Sequence, residues 1–85
     1  MAIVNSQVTV TTTSQSIVSV DNVSRDVALH AKHKSFIGNS GVTINNGYLL
    51  DNGDKMKITL MEGEDLWVVT DVGSGVLHVL VSKID

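Results

Sequence analysis

The chain has 85 residues and a mass of 9.1 kDa, with 42% hydrophobic residues, 18% charged residues, no cysteine and no proline. A chain this short hides about 60–65% of its unfolded surface, which limits it to one thin core in one domain, residues 1–85. Six Lys+Arg against nine Asp+Glu give a formal net charge of −3, the wrong sign for a nucleic-acid surface built from clustered cations.

Arg25 is the single arginine, and Lys32-His33-Lys34 is too short to act as a basic patch alone. Without cysteine there is no disulfide and no Cys-type zinc site. No apolar run approaches the length of a membrane span, and the stretch from Met1 to Gln15 lacks a basic and then apolar leader, so the expectation is a soluble protein made in the cytoplasm. Small domains without disulfides or metals often gain stability by oligomerising, which makes a homo-oligomer the first expectation about partners.

The 14 Val, 6 Ile and 7 Thr outweigh 3 Ala and 2 Glu, and β-branched side chains favour strands over helices. From Ala2 to Ser19, Val8 and Val10 alternate with Thr9 and Thr11 before a polar Thr/Ser run. This predicts a strand or extended arm, and residues 1–20 are read as an N-terminal strand or an exchangeable arm. A second strand is predicted near Val27 to Lys34, with Val27, Leu29 and Ala31 on one face and His30, Lys32 and Lys34 on the other. Gly38-Asn39-Ser40-Gly41 predicts a tight turn with positive φ. Val42 and Ile44, with Thr43 opposed, predict a strand, and Asn45-Asn46-Gly47 a hairpin turn.

Tyr48-Leu49-Leu50 reads as a brief strand closed by the loop Asp51-Asn52-Gly53-Asp54. The strand Lys55 to Leu60 has Met56, Ile58 and Leu60 inward and Lys55, Lys57 and Thr59 outward. After the turn Glu62-Gly63-Glu64-Asp65, the segments Leu66 to Thr70 and Val76 to Ser82 are apolar on both faces. Such strands need a second covering layer, either an opposing sheet or another subunit. The fold expected is all-β: a small antiparallel β-sandwich or jelly-roll-like barrel of about seven short strands.

Catalytic and ligand-binding patterns each lose to a plainer reading. His30 and His33 fall on opposite faces of an extended strand and cannot converge on one ion without a bulge. No Ser lies in a Gly-x-Ser-x-Gly elbow. Glu62 and Glu64 fall in a predicted exposed turn, whereas a carboxyl acting in acid catalysis needs burial. Asp51-Asn52-Gly53-Asp54 has oxygen ligands but lacks the EF-hand register, and Gly73-Ser74-Gly75 precedes a strand rather than a helix. Lys55 beside Met56 suggests a lipoyl-type carrier lysine, yet it begins a regular alternating strand. Phe36, Tyr48 and Trp67 are too few aromatics for a single-strand-binding face. The expectation is therefore no enzyme, no catalytic residue, no metal, no cofactor, no nucleic acid and no membrane. Candidate subunit-interface residues are Ile3, Val4, Val8 and Val10 in the N-terminal segment, and Trp67, which reads first as a core residue and alternatively as a contact anchor.

The string Val27-Ala28-Leu29-His30, Ile37-Gly38-Asn39, Val42-Thr43, Asn46-Gly47-Tyr48-Leu49-Leu50, Gly53-Asp54, a strand ending at Leu60, Leu66-Trp67-Val68-Val69 and Val79-Leu80 resembles small virion structural proteins of tailed bacteriophages. The resemblance covers Val27 to Val81. It implies a non-catalytic virion protein, assembled in the host cytoplasm, that decorates or cements the capsid shell as a homo-oligomer against the major capsid protein or other virion proteins. Two alternatives are a head-completion or tail component, and a carbohydrate- or receptor-binding β-module whose aromatic platform would be Tyr48 and Trp67.

Overall fold

The computed structural model describes the backbone of residues 2–84 and the side chains of residues 3–83. Eight strands follow one another: β1 (Ala2–Val10), β2 (Gln15–Val18), β3 (Ser24–Ala31), β4 (Ser35–Gly38), β5 (Tyr48–Leu50), β6 (Lys55–Leu60), β7 (Leu66–Val69) and β8 (Gly75–Ile84). They form two four-stranded antiparallel sheets, sheet A in the order β1-β8-β3-β6 and sheet B in the order β2-β7-β4-β5.

The pairs β4–β5, β3–β6, β2–β7 and β1–β8 are nested about one hairpin. Rolled so that the outer pairs alternate between sheets, that long hairpin is an eight-stranded jelly roll. The fold expected from the β-branched composition and the two-residue period is thus the fold observed, with eight strands instead of about seven.

Against the expectation two strands are gained and one is lost: the N-terminal segment makes two strands instead of one, Ser35–Gly38 makes β4, and residues 42–44 make none. Residues 2–18 make two strands in different sheets, because the polar run from Thr11 to Ser14 carries the chain across the sandwich. Strand β1 pairs with β8 of the same chain in unbroken register from Ala2↔Lys83 to Val10↔Gly75. Met1, the first residue of the expected arm, lies outside the described residues.

Period-two alternation decides what is buried. Val27, Leu29 and Ala31 of β3, Leu77, Val79 and Val81 of β8, and Leu60 of β6 point from sheet A into one core. Val18, Ile37, Leu50, Leu66 and Val68 meet them from sheet B.

One end of this core is closed by Arg25, which is 1% exposed. Its Nη1 donates to the Ser19 carbonyl, Nε to Val23 at 3.1 Å, and Nη2 to Met61 at 3.3 Å and Glu64 at 2.7 Å. The guanidinium thus joins the β2–β3 and β6–β7 connections, both of which cross between the sheets, and Gly63 N–H adds a bond to the Asp21 carbonyl at 2.8 Å. At the other end Thr70 Oγ1 donates to the Lys34 carbonyl at 2.7 Å, and the Lys32 N–H to the Val76 carbonyl at 2.9 Å.

Residues 42–44 are not a strand. Val42 is buried on the outer face of sheet B with Phe36 and Val69, and Trp67 packs against the same cluster. The turn that delivers Val42 is held by Asn46 Oδ1 accepting from Thr43 N–H at 2.7 Å and by the Gly47 N–H bonded to the Thr43 carbonyl at 2.9 Å. A Cβ at Gly47 would lie 2.6 Å from Phe36 Cβ, so this glycine serves close approach. Positive φ occurs instead at Gly53, Gly63 and Gly73. The segment 39–47 is therefore the layer that covers the outer face of β7, and both-face burial there requires no second subunit.

Candidate functional site

Among the described residues, no segment covers the outer face of sheet A in this way. Directly paired residues share a face, which makes Gln7, His78, His30 and Lys55 one row across all four strands. The next row is Asn5, Leu80, Ala28 and Lys57. Ala28 is the smallest member of either row, and the surface dips there into an open groove of about 820 Å³. The groove continues toward Asp26, Thr59 and Ser82, where the Thr59 hydroxyl donates to Asp26 Oδ1 at 2.8 Å.

The His30 and His78 rings lie 6.1 Å apart and tilted by 38°. Partial desolvation, with Lys32, Lys55 and His78 nearby, lowers the His30 pKa from its ordinary value of 6.5. His33 does not join them: its Nε2 is 2.9 Å from the Val72 carbonyl in the β7–β8 turn. Among the described residues no group of three or more His, Cys, Asp or Glu side chains is gathered as for a metal ion. Glu64 accepts the Met61 N–H at 2.7 Å, and Asp54 accepts the Asp51 N–H at 3.0 Å, so both carboxylates serve their own turns.

Among the described residues, Lys83 of β8 pairs with Asp21 of the β2–β3 connection at 3.0 Å, and Lys34 of the β3–β4 turn with Asp71 of the β7–β8 turn at 3.2 Å. Each lysine hydrogen-bonds its carboxylate and lowers that pKa from 3.8. A pKa depressed on folding contributes stability above the unfolded value and loses it as pH falls through the folded one. We therefore expect stability to decline in two stages on acidification, first below pH 6.5 as His30 is forced to protonate, then below pH 3.8 as Asp21 and Asp71 do. Denaturant midpoints across pH check this, and His30→Gln should remove the first stage alone.

The interface candidates separate by position. Ile3 and Val4 are exposed, at 65% and 48%. Val8 is half-buried against the core, and Val10 is fully buried within it. Trp67 is half-buried under the 39–47 segment, with its Nε1 donating to Asp65 Oδ2 at 2.9 Å. Tyr48 pairs with Ile37, whereas Trp67 pairs with Gly38, the next residue of β4, so the two aromatics face opposite sides of sheet B and form no common platform.

The four sheet edges differ in kind. An edge strand offers unpaired N–H and C=O groups to any chain that can pair with it, and proteins blunt such edges with charge, shortness or bulges. Edge β6 carries Lys55 and Lys57, edge β2 has four residues and a register irregularity between Ser16 and Val18, and edge β5 has three residues. Edge β1 has nine residues, Ala-Ile-Val-Asn-Ser-Gln-Val-Thr-Val, with no charge, no glycine and no break in register. Apart from the Thr9 carbonyl, which accepts from the Gln15 side-chain amide, it is the one edge of the four without a guard. No protein-family model, curated protein or solved structure matches this chain.

Proposed function

We propose that this chain is a non-catalytic structural protein of a phage virion, a capsid-decorating or cementing subunit that works as a homo-oligomer joined along β1. The unguarded β1 edge carries this reading, since a long, flat, uncharged edge strand is a ready template for strand addition. An antiparallel β1–β1 pair about Ser6 sets Val4 opposite Val8 and Asn5 opposite Gln7, and no like charges meet. It merges two four-stranded sheets into one and covers Ile3 and Val4.

The jelly roll adds support by analogy, being a fold of capsid proteins, but it also serves lectins and cupins and does not separate these roles. The sequence resemblance over Val27 to Val81 points the same way. Counting copies of the chain in purified particles of the encoding virus tests the proposal. Many copies per shell are expected, and absence from the particle overturns it. A few copies per particle would assign the chain to head completion or the tail instead.

A further inference from the structure

We infer that the groove on the outer face of sheet A holds an extended acidic segment of a partner protein, with Lys55 and Lys57 each taking one of two carboxylates at alternate positions. Charge complementarity is the first ground. Lys34 and Lys83 are engaged by Asp71 and Asp21, and Arg25 is buried. Among the described residues, the cations without a carboxylate partner are Lys32, Lys55 and Lys57. Two of these line the groove together with His30 and His78, and its lining around Ala28 includes no carboxylate; Asp26, which lines the continuation, accepts from the Thr59 hydroxyl. A chain of net charge −3 has thus placed two of its three unpaired lysines beside one depression.

Spacing is the second ground. Lys55 and Lys57 stand on one face of β6, two residues apart, hence roughly 7 Å at the usual strand rise. Alternate side chains of any extended peptide repeat at that same distance, so a Glu-x-Glu segment lying along β6 meets both ammonium groups in register. With the segment running beside β6 above Ala28, its intervening side chain points away from the lysines, toward Leu80 of β8, which is 43% exposed. Single-stranded nucleic acid fits less well, because its binding relies on aromatic stacking platforms and this face holds no Phe, Tyr or Trp. The inference stands apart from self-association along β1 and holds for a monomer as well as a dimer.

Fluorescence anisotropy with a labelled synthetic peptide alternating Glu with Thr tests it on the full chain. The peptide is expected to bind, to weaken with added salt, and to lose about tenfold in affinity, about 1.4 kcal/mol, in the double variant Lys55→Gln, Lys57→Gln. Ala28→Ile, which fills the floor, should also block binding. Both lysines are exposed, so the double variant should keep the fold, and circular dichroism is the check. No binding, equal binding of a peptide with Gln in place of Glu, an unaffected double variant, or tighter binding of a labelled oligothymidylate would each overturn the inference.

Discussion

Replacing Arg25 by Leu should lower stability by about 4 kcal/mol, the largest effect expected of a single substitution in this chain. Exchanging a buried charge for an apolar side chain is often neutral when its partner leaves with it. Here the partners are backbone carbonyls of Ser19, Val23, Met61 and Glu64, which stay behind whatever replaces the arginine. Ser19, Met61 and Glu64 are exposed residues, so water reaches part of these acceptors and each one left unpaired costs toward the lower end of about 1–3 kcal/mol.

Stability for a chain of this length is on the order of 4–13 kcal/mol, so the loss is a large fraction of the whole. At about 4–8 °C per kcal/mol for a small domain, the melting temperature should fall by roughly 20 °C or more. Arg25→Lys keeps the charge but not the planar fork that reaches several carbonyls at once, and should recover only part of the loss. Thermal and urea unfolding of both variants measure this. An Arg25→Leu protein as stable as the wild type would show that the two crossover connections do not depend on the guanidinium.

The second large effect is expected at Gly75. A Cβ there would sit 2.2 Å from His33 Cβ and 2.5 Å from His33 Cγ. The first of these atoms is fixed by the backbone of the β3–β4 turn and cannot rotate away. That turn is held against the start of β8 by the Lys32 N–H bond to Val76 at 2.9 Å, while Gly75 itself is paired with Val10. Neither side yields without breaking its ladder, so Gly75→Ala should cost about 3 kcal/mol, the upper end for overpacking. Gly41→Ala is the control, since its nearest neighbour would be Asn39 Oδ1 at 3.5 Å, an ordinary contact, and it should change stability by less than about 0.5 kcal/mol. Equal urea midpoints for the two variants would contradict the packing at the β3–β4 turn.

What the sequence could disclose follows from how far apart the interacting residues lie. The alternation in Lys55 to Leu60 is a local property, and Met56, Ile58 and Leu60 do point inward. The strand at Val42 to Ile44 looks equally regular, yet Phe36 and Val69 draw Val42 onto the back of sheet B. Two-sided burial of Leu66 to Val69 was legible, but whether a subunit or the chain itself provides the cover was not. Arg25 stands out only as the single arginine, since its acceptors at Met61 and Glu64 are 36 and 39 residues away. The groove depends on His30 facing His78 and Ala28 facing Leu80, pairings set by sheet register rather than by any motif. The edge status of β1 is likewise topological: its composition is visible in the sequence, and its place outside β8 is not.

Self-association through β1 is the central claim, and light scattering on the purified chain tests it most directly, with Val4→Lys as the comparison. Val4 is half exposed at the free edge, so the lysine leaves the monomer intact while installing the guard that edge strands usually carry. The wild type should have the mass of two 9.1 kDa chains and Val4→Lys that of one. A wild-type chain that stays monomeric at every concentration, or a dimer indifferent to the lysine, would contradict assembly along this edge.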